Sequence, residues 1–155
     1  MLIADHDIKR DSFIIKYNGD IGFDVGQAGD YVVRVEVPSM DLPFEVAKSY
    51  LEANGEKVPP QPVGPDTKIT VKSVKLVVNA QSRGNESRFI NDYRSIKNED
   101  GTKKRANCRF QEALDAVHGQ FFVGVFATQD IKTGEELLLD YGAAYWKLKE
   151  SNTDE

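Results

Sequence analysis

Two stretches of the chain carry side chains able to bind or orient a ligand. The first, RGNESRFINDYRS from Arg83 to Ser95, reads as neither helix nor strand: a Gly-Asn pair, one apolar dipeptide, then Asn91-Asp92-Tyr93-Arg94. The second, ATQDIKTGEELLLDYGA, ends on Tyr141-Gly142 after the apolar run Leu137 to Leu139. Taken singly, Asn91 is a turn-former whose amide can bind nearby backbone, and Tyr141 is a core tyrosine with a satisfied hydroxyl. Other reactive groups are sparse. Cys108 is the one cysteine, so neither an internal disulfide nor a cysteine-rich zinc site can form, no metal is expected, and the chain suits a reducing compartment. His6 and His118 are isolated and read as surface residues, and Lys103-Lys104-Arg105 as a solvated loop.

The elements that must position these residues are mostly strands. ADHDIKRDSFIIKYNGD predicts strand, polar turn, strand and the Asn18-Gly19 turn, and the Asp130 to Gly142 stretch repeats that layout. The likeness suggests two similar β-hairpins, each ending in tyrosine and glycine. DYVVRVEV alternates, with Tyr31, Val33, Val35 and Val37 on one face of a half-buried strand. Asp41 suits an N-cap and Pro43 a first turn, which predicts a helix from about Leu42 to Asn54. Its inner stripe is Val46, Ala47, Tyr50 and Leu51, and Gly55 ends it. This is the one good helix. GEKVPPQPVGPD is an extended connection, KITVKSVKLVVNA one or two strands and GQFFVGVFAT another, and the tail KLKESNTDE is charged and expected to fray. The sum is a mainly β single domain with one inserted helix.

A length of 155 residues is enough for a self-sufficient core. The N-terminus is too short in apolar residues for a signal peptide, and no window approaches a membrane span. No membrane association is expected, and the location is nuclear or cytoplasmic. A net charge of −5 argues against direct nucleic-acid binding and suits a basic peptide.

GNESRFIND followed by DIKTGEELLLDYG, in that order and at that distance, resembles the two signature motifs of the SET domain, a family of protein-lysine methyltransferases that use S-adenosylmethionine. DIKRDSFIIKYNGD is similar to the family's first hairpin, Asn107 to Phe110 to the strand after the central motif, and FFVGVFATQDI to the strand leading into the last. The resemblance implies a SET domain over residues 1–146, with residues 147–155 as a charged tail. It implies small curled sheets in which the segment around Phe89 to Asp92 is threaded beside the strand ending at Tyr141, a knot-like crossing otherwise rare in proteins. It implies Tyr141 as the catalytic tyrosine and Tyr17 as a substrate-binding wall of the lysine channel. It implies Arg88, Phe89, Asn91 and Asp92 as the cofactor-binding motif, with Asn91 on the methionine part and the backbone at Asp92 on the adenine, and Trp146 stacking on adenine. The implied substrate is a lysine in a basic peptide, a histone tail, with the inserted helix helping to shape the peptide groove and its specificity.

Such a transfer moves a methyl group from a sulfonium to a neutral amine in line, so geometry and exclusion of water matter more than a strong acid or base. An apolar channel and the neighbouring sulfonium both disfavour the ammonium form of the substrate lysine, whose ordinary pKa is about 10.4. The chain also departs from the family pattern. Asp92-Tyr93-Arg94 stand where His-Ser-Cys is common, the Gly-x-Gly segment would fall just before Met1, and the cysteine triplet that often follows the domain is not present. These departures keep open a catalytically inactive SET-like module that binds a peptide or partner protein, and a non-histone protein in the cytosol is a third possibility for the substrate.

Overall fold

The computed structural model describes residues 1–26, 29–64 and 67–153, the side chains at 144, 148, 152 and 153 excepted. The chain divides into two compact units, Met1–Asn18 with Arg83–Glu155, and Gly19–Ser82.

The first unit is built on β1 (Phe13–Lys16), β6 (Cys108–Leu114) and β7 (Phe121–Ala127), an antiparallel sheet in the order β1-β7-β6. The alternation in FFVGVFA explains why β7 is central. Val123, Val125 and Ala127 are at most 1% exposed, whereas Phe122, Gly124 and Phe126 take the opposite face, as successive residues of a strand must. Phe13 sets its ring edge against both Phe122 and Phe126. A short parallel pair completes the unit's strands: β5 (Asn91–Asp92) beside β8 (Leu138–Leu139), in register Asn91 to Leu138 and Asp92 to Leu139. Ala4, Ile8, Ile90, Cys108, Val125, Ala127, Ile131, Leu137 and Leu139 form one buried cluster, so the predicted Leu137 to Leu139 core run is core.

The two similar segments do not form two hairpins. They pair with each other: Ile8 and Ile131 exchange both backbone hydrogen bonds at 2.8 Å. Asp7 accepts from the Thr133 N–H at 2.9 Å, and Asp130 accepts from the Arg10 N–H at 2.9 Å. The repeated Asp-Ile-Lys is thus the two sides of one local pairing with approximate two-fold symmetry, and β1 goes on to pair with β7.

The second unit is an antiparallel sheet in the order β2-β4-β3, made by β2 (Asp20–Phe23), β3 (Val32–Pro43) and β4 (Lys68–Asn79), with helix α1 (Phe44–Ala53) following β3 directly. KITVKSVKLVVN is one long strand. On β3, Val35 is buried and Val33 and Val37 partly so, while Arg34 and Glu36 are exposed, as the alternation predicts. Asp41 is not the helix cap. The β3–β4 ladder runs on through Leu42 to Ile69 and Pro43 to Lys68, holding Asp41 in the strand, where its carboxylate accepts from Thr70 Oγ1 at 2.5 Å. Pro43 takes the cap position without a side-chain bond. The buried stripe of α1 is Phe44, Ala47, Tyr50 and Leu51. Val46, expected inside, is 40% exposed, because Phe44 extends the stripe one turn before Ala47 and two turns before Leu51. The Tyr50 hydroxyl accepts from the Lys75 N–H at 2.9 Å, tying helix to sheet, and Gly55 ends the helix at φ 69°.

Asn18-Gly19 is more than a turn signal. A Cβ on Gly19 would lie 2.4 Å from the Asn79 carbonyl oxygen, so glycine there permits a close backbone approach. The tail expected to fray is helical as far as Thr153, α2 running from Ala143 to Thr153, and its last two residues lie outside the described residues. Ala, Leu, Lys and Glu are strong helix formers, and Tyr145 of α2 sets its ring against Tyr141.

Candidate active site

The mid-chain polar segment is held residue by residue. Asn85 caps a 3-10 turn over Glu86–Phe89, its side chain accepting from the Ser87 N–H, and its amide donates to the Lys16 carbonyl at 2.9 Å. Ser87 and Ile90 are each 1% exposed, which anchors the thread on both sides of Arg88 and Phe89. Asp92 then caps a second 3-10 turn, Tyr93–Ser95. Strand pairing and short-range caps between them take up backbone groups at Ser87, Arg88, Ile90 and Arg94.

On the facing side, Asn107 joins β8 to the start of β6. Its amide donates to the Glu136 carbonyl at 2.9 Å, its Oδ1 accepts from the Leu138 N–H at 2.8 Å, and its own N–H donates to the Leu138 carbonyl at 3.0 Å. Asn107 is 5% exposed, and burial at that level makes each of those bonds expensive to lose.

These two sides bring together most of the residues singled out from the sequence. The Asn91 amide donates to Glu136 Oε1 at 3.0 Å, across 45 residues. It is therefore no local turn-former. Glu136, its side chain 8% exposed, also pairs with Lys104 at 3.7 Å, so Lys104 leaves the solvated loop in which the sequence put it. The Asp92 carboxylate, 1% exposed, accepts from the Arg94 N–H at 2.8 Å and from the Tyr141 N–H at 2.6 Å. The Tyr141 hydroxyl donates to the Ile90 carbonyl. Tyr141 meets Tyr145 edge to face at 5.0 Å, and Tyr145 meets Trp146 likewise at 5.4 Å. The Trp146 indole Nε1 is buried and has no hydrogen-bond acceptor among the described residues.

Arg88 stacks its guanidinium over the Phe89 ring at 4.9 Å, and Phe89 is 47% exposed. Tyr17, 6% exposed, sets its ring edge against Phe110 at 5.2 Å, and Phe110 and Tyr141 both pack on the same buried cluster. Arg94 bridges Asp92 at 3.2 Å and Asp140 at 2.7 Å. The bond to Asp140 raises the Arg94 pKa further. Burial pushes the Asp140 carboxyl up, but the Arg94 guanidinium and the Gly142 N–H together outweigh it and hold Asp140 below the ordinary carboxylate value. Glu136, Asn107, Arg94 and Asp140 were not picked out from the sequence as site residues. Most of their partners lie far away along the chain, and the resemblance of Asn107 to Phe110 to the strand after the central motif is the one signal in the sequence that points toward Asn107.

The chain belongs to the SET domain family, whose model matches residues 1–142. Over 65 residues it is 37% identical to the histone-lysine N-methyltransferase ASHH2 of Arabidopsis thaliana, a match covering 42% of this chain and 3% of that protein. Among solved structures, the ATXR5 SET domain in complex with histone H3 di-methylated on R26 shares the fold at a TM-score of 0.50 and 24% identity, over 91% of this chain and 51% of that one. A crystal structure of ATXR5 in complex with histone H3.1 mono-methylated on R26 is 27% identical over 91% of this chain and 51% of that one, with a TM-score of 0.49. The chain thus spans about half the length of these solved relatives and a small part of the curated one. The predicted family and the mainly β fold of small sheets hold.

Proposed function

We propose that this chain is a protein-lysine N-methyltransferase that uses S-adenosylmethionine to methylate a lysine in a basic peptide, a histone tail, in the nucleus or cytoplasm. Membership of the SET family supports the reaction class, and the partial likeness to a protein named as a histone-lysine methyltransferase supports the substrate. The observation that carries the reading is the Tyr141 hydroxyl held on the Ile90 carbonyl, beside the strand that contains Asn91 and Asp92.

The residues present fit the cofactor. The buried Trp146 indole N–H lacks an acceptor among the described residues, and the Asn91 amide donates to Glu136, which leaves Asn91 Oδ1 to accept from an ammonium group. Arg88, Phe89, Asn91, Asp92 and Trp146 are the residues that would hold it, and Tyr17 a wall of the lysine channel. When bound, S-adenosylmethionine supplies an electrophilic methyl group. The chain's own part is positional. The Tyr141 phenol commits its proton to the Ile90 carbonyl, so with cofactor and substrate bound its oxygen would serve as an acceptor that orients the reacting amine and meets the methyl group through weak C–H···O contacts. Aromatic side chains around it exclude water and disfavour a charged substrate amine. Sequence preference resides in the inserted unit, where Phe23, Val25, Val46 and Tyr50 line a cleft of about 830 Å³.

Calorimetric titration with S-adenosylmethionine, paired with methyl transfer to a set of unmodified histone-tail peptides, tests the proposal. Saturable binding and turnover are expected, and no heat of binding at millimolar cofactor would overturn it. The aspartate at position 92 favours a second reading, a non-catalytic module that binds a peptide or partner. It predicts peptide binding without turnover, equal in the chain and in Tyr141→Phe.

A further inference from the structure

We infer that Asp92, Arg94 and Asp140 form a clamp that positions Tyr141, an inference that rests on reading Tyr141 as the catalytic phenol. Asp92 and Asp140 take consecutive backbone N–H groups: Asp92 Oδ2 accepts from Tyr141 at 2.6 Å, and Asp140 Oδ1 accepts from Gly142 at 2.8 Å. Arg94 Nη1 joins the two carboxylates, 3.2 Å from Asp92 Oδ2 and 2.7 Å from Asp140 Oδ1. Its own N–H donates to Asp92 Oδ1 at 2.8 Å. The guanidinium lies over the Tyr93 ring at 4.6 Å, which limits its freedom to swing away.

The clamp acts where the chain has to turn. Gly142 has φ 87°, and α2 begins at the next residue. A phenol carried on an unrestrained turn would sample several positions, whereas here the backbone on both sides of the Tyr141–Gly142 peptide is held by charge-assisted bonds. A buried carboxylate is costly unless paired and hydrogen-bonded. Asp92, 2% exposed, meets that condition with three donors, all from Arg94 and Tyr141. Buried ion pairs contribute little net stability, and their best-attested use is to specify one geometry. The Asp92 side chain therefore has a task separate from the cofactor contact proposed for its backbone. Asp92, Arg94 and Asp140 are positioning residues and act on the reaction through Tyr141.

Arg94→Gln removes the bridge at a partly exposed position, and Asp92→Asn removes the buried charge. In each folded variant kcat for transfer from S-adenosylmethionine to the best histone-tail peptide is expected to fall about tenfold to a hundredfold. KM for peptide and cofactor should stay within about twofold, the pattern of a lost transition-state geometry. Amide hydrogen exchange at Tyr141 should quicken while that at Leu139 stays as it is. Arg94→Gln retaining full kcat, or a Tyr141 amide as protected as in the unaltered chain, overturns the clamp. If the unaltered chain transfers no methyl group, the functional reading fails, and exchange at Tyr141 in Arg94→Gln still decides whether the clamp exists.

Discussion

The Tyr141 hydroxyl donates to the carbonyl oxygen of Ile90, a residue 51 positions earlier that is 1% exposed. One bond links the segment just past β8 to the mid-chain thread. Tyr141→Phe keeps the ring and its edge contact with Tyr145 but leaves the Ile90 carbonyl without that donor. We expect a loss of about 1 kcal/mol in stability, measured by urea unfolding, with the fold intact by circular dichroism. Methyl transfer should fall about a hundredfold or more. A folded variant with undiminished turnover removes Tyr141 from the reaction.

Acid stability should be set by carboxylates that the fold holds below their ordinary value of 3.8. Asp7 is lowered chiefly by the Thr133 N–H, then by the Thr133 hydroxyl and Lys132. The Thr102 hydroxyl lowers Asp100, and the Val117 N–H leads the bonds that lower Asp115. For Asp140, the Arg94 and Gly142 bonds outweigh burial. Each folded value lies below the unfolded one, so the stabilisation is complete above the unfolded value and is lost as pH falls through the folded one. The urea midpoint should be level near neutrality and drop below about pH 4. Asp7→Asn should be less stable than the unaltered chain at neutral pH and should narrow that gap on acidification. A gap independent of pH would show that the Asp7 charge contributes nothing.

Cys108 should be inert in the native state. It is 2% exposed, and burial pushes its thiol up to about 11, so almost no thiolate exists at neutral pH. A chromogenic disulfide reagent at pH 7.5 is expected to react only after denaturant is added, and prompt labelling of the folded chain would contradict this burial.

The sequence made most of the strands legible, because β3 and β7 alternate with a period of two and the Leu137 to Leu139 run is apolar enough to be core in any arrangement. Residue types alone left Asn91 and Tyr141 as a turn-former and a core tyrosine. Only the order and spacing of the two motifs suggested that they meet, as the β5–β8 register now places their strands side by side. What stayed hidden depends on distant partners. Asp41 has every mark of a helix cap, yet the continuing ladder to Ile69 and Lys68 keeps it in β3. The two Asp-Ile-Lys segments look like separate hairpins because local patterns cannot show that each is the other's partner. Glu136, which takes both Asn91 and Lys104, reads in sequence as one more exposed acid.

Two glycines sort the cost of close packing by what stands in the way. At Gly124 an added methyl would lie 2.7 Å from the edge of the Phe126 ring and 3.3 Å from the rings of Phe122 and Phe13. Those rings lie on the face of β7 opposite the core and can give, so Gly124→Ala should cost about 1–3 kcal/mol, the usual range for overpacking. At Gly19 the obstacle is main chain. The methyl would lie 2.4 Å from the Asn79 carbonyl oxygen and 2.9 Å from the Ala80 nitrogen, and Asn79 is fixed by pairing with both Asp20 and Val32. Neither neighbour can move without breaking the end of the β2-β4-β3 sheet. Gly19→Ala should therefore lower the urea midpoint more than Gly124→Ala does. The reverse order would mean that the Gly19 approach is looser than the backbone geometry shows.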